Sequence, residues 1–192
     1  FWIALYPILI YTVIQLIFGL VIGFMGAIFG LEPDMLVEFI RENVLVFTTV
    51  CAVFSFVFLI LFFYLDCKKG RVEKRGNINI LDYIMAIIGG AGIAIILNII
   101  ISLTNLASYD SDFVEVSESI TSPALMVTII CAGIIIPIVE EFVFRGLVFN
   151  RIKFQYNFVS AMIISALAFG IFHGNIVQGI YATILGVFLA YV

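Results

Sequence analysis

The stretch Ile136-Pro137-Ile138-Val139-Glu140-Glu141-Phe142-Val143-Phe144-Arg145-Gly146 sets two carboxylates and a guanidinium inside an apolar run. On the insertion scale each such charge costs about 2.5–3.5 kcal/mol at mid-membrane, roughly 8–10 kcal/mol for three left unpaired. A chain that keeps them must pair them, wet them or use them. On a helix, residues i and i+4 share a face, so Glu141 and Arg145 are expected to pair along one side. Glu140 projects about 100° away and has no such partner, because one arginine cannot hold two carboxylates bidentately. That leaves Glu140 suited to the work of a general base.

The surroundings make this an all-α, polytopic membrane protein. Of 192 residues, 64% are hydrophobic and only 11% charged, against about half and a quarter in soluble domains. Mean hydropathy is +1.26. A span needs about 20 apolar residues, and six candidates fall at about 2–30, 44–65, 83–103, 124–149, 158–173 and 176–192. They form a single integral-membrane domain, since the polar connections are too short to fold alone. Pro7 marks the start of the first span. Gly19, Gly23, Gly26 and Gly30 give it small faces for close helix contact. Ala86, Gly90 and Ala94 make a small stripe on the third span; Ala166, Gly170 and Gly174 make another on the fifth, and Ala182, Gly186 and Ala190 on the sixth.

Pro137 lies inside the fourth span, where the missing N–H frees a carbonyl and kinks the helix one turn earlier. The kink is expected to open room just ahead of Glu140. Phe1 opens inside an apolar run and Val192 ends in one, so both ends read as cut.

The connections set an orientation. Lys68, Lys69, Arg71, Lys74 and Arg75 lie between spans two and three, which makes loop 66–82 cytoplasmic by the positive-inside rule. Arg151 and Lys153 fall on the same side. Glu32, Asp34, Glu38 and Glu42, then Asp110, Asp112, Glu115 and Glu118, occupy the opposite connections. Segment 108–118 reads as a solvated loop. No basic patch points to nucleic acid as a partner. The partners implied are membrane lipid and a substrate that reaches the membrane.

The three cysteines, Cys51, Cys67 and Cys131, do not suggest a disulfide framework. Cys67 reads as a small buried thiol in preference to an acylated one.

The second polar group within the spans is Phe169-Gly170-Ile171-Phe172-His173-Gly174-Asn175. Phe169 and His173 stack one turn apart, and Gly170 and Gly174 leave space beside the only histidine. Asn175 and Gln178 follow, either as further site groups or as turn residues. Counted along the helices, Glu140 lies about 10 residues and His173 about 15 from the cytoplasmic side. Their depths differ by roughly 8 Å, which tilt must absorb. A catalytic zinc takes three protein ligands. Glu140, Glu141 and His173 form the candidate set for a divalent metal such as zinc, but one histidine cannot complete the common two-His set. Ser160 and Ser165 carry no nucleophile motif.

Glu140-Glu141-xxx-Arg145 followed by Phe169-xxx-His173 resembles the first two motifs of the CPBP (CAAX protease and bacteriocin-processing) family of intramembrane endopeptidases. His173-Gly174-Asn175-xxx-Gln178-Gly179 is similar to its bacterial members. The resemblance covers about 123–192. It implies hydrolysis of a peptide bond in a membrane-tethered substrate, CAAX-type or similar, with a lipidated peptide or protein as one form. Glu140 would activate water with His173, and Glu141 and Arg145 would shape the site. A third family motif, His or Phe followed four residues on by Asn or Asp, is expected on a span after Val192. The alternatives are a non-catalytic member of the family, such as a bacteriocin-immunity protein or scaffold, and a proton- or cation-coupled transporter. Against the transporter, no inverted repeat is evident.

Overall fold

The computed structural model describes residues 2–73 and 79–192, and its described elements are all helical. Lys74 and Arg75 of the basic loop lie outside the described residues. The helices, labelled in chain order, are α1 (Trp2–Ile28), α2 (Pro33–Glu42), α3 (Val44–Lys68), α4 (Ile80–Thr104), α5 (Ser111–Thr121), α6 (Leu125–Gln155), α7 (Phe158–Phe172) and α8 (Ile176–Tyr191). Helices α1, α3, α4 and α6 are long and apolar enough to cross a membrane. The other two expected spans, α7 and α8, have 15 and 16 residues. At ~1.5 Å per residue they are only ~22–24 Å long.

Two elements differ from expectation at the acidic end of the bundle. Segment 108–118 is not a solvated loop: a 3-10 turn, Leu106–Tyr109, leads into α5. The acidic residues themselves start this helix. Asp110 caps it by accepting the N–H of Phe113 at 3.0 Å, and Asp112 sits in the first turn, where negative charge opposes the positive end of the helix dipole. Across from it, the acid-rich connection at 32–42 forms α2, which opens on Pro33 and is joined to α5 by an Arg41–Glu115 ion pair at 3.3 Å.

Helix α6 is wound unevenly. A π-helical turn over Cys131–Ile135 lies just ahead of Pro137, where the expected kink falls. A proline has no N–H for the carbonyl four residues back, and a widened turn shifts the ladder around that gap. A second π-helical stretch, Phe142–Phe149, carries Arg145. The Asn150 amide donates to the carbonyls of Arg145 and Gly146 at 3.0 and 2.9 Å and so supports this stretch from its end.

Core packing is centred on α6. Val139, Val143, Phe144 and Leu147 are buried against Tyr11 of α1, Ala52 and Leu59 of α3, Phe169 of α7 and Ala182 of α8. The small stripes of α7 and α8 face each other: Ala166 and Gly170 pack on Gly179, Thr183 and Gly186. In α1 the expected glycine faces do not form a contact at Gly19 or Gly23, where an added Cβ would meet nothing within 4 Å. These positions face outward, where glycine contributes no packing.

At the basic end, Arg151 is not a solvated loop cation. It is 1% exposed and pairs through Nε with Asp66, itself 2% exposed, from the last turns of α3. Its Nη2 donates to the Tyr6 hydroxyl at 2.8 Å, and its guanidinium lies 4.2 Å from the centroid of that ring. Arg71 reaches the other oxygen of Asp66 at 2.8 Å. Cys67, expected to be buried, is exposed. Asp66 turns into the bundle toward Arg151, and a neighbour about 100° further round the same helix must face away.

Candidate active site

Arg145 is the hub of the charged segment. Its Nε stands 3.4 Å from Oε1 of Glu141, one turn earlier, as the i,i+4 spacing requires. Its Nη2 donates to the carbonyl of Gly186 on α8 at 3.0 Å. Its guanidinium lies 4.8 Å from the centroid of Phe169 on α7. One side chain therefore ties α6 to both C-terminal helices. Nε and Nη1 are buried and make no hydrogen bond among the described residues; the contact of Nε with Glu141 is an ion pair without hydrogen-bond alignment.

Phe169 passes this arrangement on to the imidazole. The rings of Phe169 and His173 meet edge to face with centroids 4.9 Å apart. The Nδ1 of His173 lies 2.8 Å from the carbonyl of Phe169. A carbonyl can only accept, so Nδ1 carries the hydrogen, and in the neutral ring Nε2 keeps a lone pair. Gly174, with φ +75°, turns the chain out of α7. Asn175 then caps α8, accepting the N–H of Gln178 at 2.8 Å while its amide reaches the Gln178 side chain at 2.8 Å. Both Asn175 and Gln178 serve the turn.

Glu140 faces a different set of groups. It lies within electrostatic reach of Tyr11, a buried α1 residue whose hydroxyl hydrogen-bonds Gln15. Tyr11 packs on Phe172 with ring centroids 5.5 Å apart. Phe144, one turn after Glu140, packs on both Phe169 and Phe172, at 4.9 and 5.6 Å. An aromatic layer of Tyr11, Phe144, Phe169 and Phe172 thus spans from the neighbourhood of Glu140 to that of His173. The carboxylate and the imidazole make no direct hydrogen bond or ion pair with each other among the described residues.

A cavity of about 760 Å³ opens beside the charged segment, lined by Glu141, Phe142, Arg145, Asn150 and Lys153 of α6 and by the end of α8. Pockets of ~300–1,000 Å³ are of ligand size. Lys153 at its rim pairs with Glu73 at 2.6 Å. A second, more apolar cleft of about 560 Å³ lies along α7 and α8 behind the His173 turn, between Leu167, Gly170, Ile176 and Ile180.

Residues 122–192 match the family model described as type II CAAX prenyl endopeptidase Rce1-like. Over this segment, which is less than half of the chain, the protein is similar to the Rce1-like family. The Rce1-like segment holds Glu140, Glu141, Arg145, Phe169 and His173 together, and the family is one of proteases. Neither the curated proteins nor the solved structures gave a match. No three His, Cys, Asp or Glu side chains gather in metal-binding fashion among the described residues. Among the described residues the candidate set Glu140, Glu141 and His173 does not gather as a three-ligand site.

Two groups at the site lie outside the Rce1-like segment and were not singled out from the sequence. Tyr11 sits in an unbroken apolar run, where a tyrosine carries no sign of its neighbour. Asp110 is one acid among several, and its partner is 67 residues away.

Proposed function

We propose that this protein is an intramembrane endopeptidase that hydrolyses a peptide bond in a membrane-tethered, CAAX-type substrate. The observation that carries the reading is the Rce1-like match, which covers the segment that carries two glutamates, an arginine and a histidine on apolar helices. Glu140 takes a proton from water, and the resulting hydroxide oxygen attacks the scissile carbonyl carbon. That proton then passes to the amide nitrogen as the C–N bond breaks, leaving a carboxylate and a free amine. His173 offers the lone pair of Nε2 to the same water and orients it. Carboxylate and imidazole need not touch for this, since one water bridges two groups that are too far apart to bond directly.

Glu141 and Arg145 hold the cleft. The cavity beside them is of a size to take a short peptide. Nη1 of Arg145, buried and without a hydrogen-bond partner among the described residues, is a donor available to a substrate carbonyl or carboxylate. With the basic loop 66–82 on the cytoplasmic side, the cleft at Lys153 opens toward the cytoplasm, where a tethered C-terminal peptide would enter.

The test uses the full-length protein in proteoliposomes with a farnesylated CAAX peptide. Glu140→Gln and His173→Gln are each expected to lower kcat by about 10²–10⁴-fold with the fold retained. Full activity in either folded variant would remove the mechanism. Unchanged substrate in the wild type, with folding lost in both variants, would favour a non-catalytic family member that keeps the cluster for packing.

A further inference from the structure

The turn that carries His173 is held from outside the Rce1-like segment. Asp110, in the connection between α4 and α5, points its two carboxylate oxygens at two different helices. Oδ1 accepts the N–H of Phe113 and starts α5. Oδ2 accepts the N–H of Val177 at 3.0 Å, in the first turn of α8. The first N–H groups of a helix have no partner within it and need an outside acceptor. In α8 the acceptors are shared: Asn175 takes Gln178 through its side chain and Gly179 through its carbonyl, and Asp110 takes Val177. This side-chain hydrogen bond reaches the 173–177 turn from beyond residues 122–192.

The same turn fixes the imidazole. Asn175 reaches back to the carbonyl of His173 at 3.4 Å, and Gly174 bends the chain between them. The ring itself is set by Nδ1–H on the carbonyl of Phe169. If the start of α8 drifts, Asn175 moves with it, and so does the backbone of His173. Only an ionised or otherwise symmetric acceptor can serve both helices. An amide in place of Asp110 has one acceptor oxygen and presents an NH2 group to the second N–H.

We propose that Asp110 is a positioning residue for His173: by bridging the N-termini of α5 and α8, it holds the α7–α8 turn in the register that presents Nε2 to the site. The proposal rests on His173 acting in peptide hydrolysis, as argued above, but its physical part stands without that activity.

Full-length protein labelled with ¹⁵N-histidine tests it, the His173 signals being assigned by their loss in His173→Gln. In the wild type the imidazole is expected to show a single Nδ1–H tautomer. Asp110→Ala is expected to mix the tautomers and to lower kcat at least tenfold, with KM changed less than twofold. Asp110→Asn, which keeps one cap, is expected to behave in the same way at smaller amplitude, and it replaces the alanine variant if that one does not fold. Unchanged imidazole signals in the folded variant overturn the proposal, whatever the activity. If the wild type cleaves no peptide, the peptidase reading fails by itself, and mixed tautomers in the Asp110 variants still support the bridge.

Discussion

Arg145 donates Nη2 to the carbonyl of Gly186, and the absence of a side chain at Gly186 is what lets it approach. A Cβ built there would lie 2.9 Å from Nη2 and 3.2 Å from Cα of Ala166. Gly186→Ala is therefore expected to push the guanidinium off α8 and away from Phe169, while α7 resists from the other side. Overpacking of this kind costs about 1–3 kcal/mol. The expected outcome is a moderate loss of thermal stability in detergent and a larger loss of peptidase activity, measured on the same preparation. Activity that merely tracks the folded fraction would mean that Arg145 has no role in the site.

Arg145→Lys separates charge from shape. Lysine keeps the positive charge beside Glu141 but has no planar fork to reach Gly186 while stacking on Phe169. Peptide hydrolysis is expected to fall by an order of magnitude or more, with KM raised if Nη1 contacts substrate. Steady-state kinetics on the purified variant decide this; wild-type kcat and KM would reduce Arg145 to a point charge.

The local half of this site could be read from the chain. Glu141 with Arg145, and Phe169 with His173, are both i,i+4 pairs, and helix geometry alone makes them neighbours. Pro137 announces a disturbed turn in the same way. The partners separated by many residues could not be read. Asp66 and Arg151 lie 85 positions apart, and the rule that places arginine in cytoplasmic loops says nothing about burial. The second π-helical stretch likewise has no proline to announce it. Segment 108–118 is ambiguous in sequence because acids favour solvent and also favour the first turn of a helix. Only its packing under α8 decides between the two.

The buried pair of Asp66 and Arg151 predicts an asymmetric response. Removing one partner strands the other in the bundle, which costs about 3–5 kcal/mol. Asp66→Asn leaves Arg151 facing an amide and Tyr6, and it also releases Arg71. Arg151→Met is expected to be comparably severe, whereas the double variant Asp66→Leu, Arg151→Met should recover part of the loss. Tyr6→Phe removes one hydrogen bond to a charged group, about 1.5–3 kcal/mol, and keeps the ring. Thermal unfolding of the four proteins in one detergent checks the order; a loss in the double variant equal to the sum of the two single losses would exclude coupling.

Asp110 gives the fold an acid-sensitive joint. The N–H of Val177 holds its carboxyl below the usual carboxylate range, with Phe113 adding to the effect against a smaller opposing contribution from burial. A group whose folded pKa is depressed stabilises the folded state above its unfolded value, about 3.9 for aspartate. The stabilisation is complete at neutral pH and is lost as the pH falls through the lowered folded value. Amide exchange at Val177, corrected for the intrinsic pH dependence of exchange, is expected to quicken over that acid window in the wild type. In Asp110→Asn it should be fast throughout, which separates Asp110 from its neighbour Asp112. A Val177 amide whose protection does not change as Asp110 becomes protonated would contradict the bridge.

Gly170 and Gly174 are four residues apart, yet their substitution by alanine should fail for different reasons. At Gly170 a Cβ would run into Oγ1 of Thr183 and lie 2.5 Å from the carbonyl of Gly179. A hydroxyl can rotate, but the carbonyl belongs to the backbone of α8, so the two helices must separate. At Gly174 a Cβ would meet nothing within 4 Å, but φ is +75°, and an L-residue held there costs about 1–2 kcal/mol. Gly170→Ala is therefore expected to destabilise the α7–α8 pair by about 1–3 kcal/mol, and Thr183→Ala in the same chain should not fully rescue it, because the carbonyl remains. Gly174→Ala should leave the helix pair packed and alter the turn that carries His173. Gly174→Asn should be tolerated better, since asparagine adopts the left-handed region more readily. Unfolding measurements paired with the ¹⁵N signature of His173 distinguish the two cases. Stability should fall most for Gly170→Ala, and the imidazole signal should move most for Gly174→Ala.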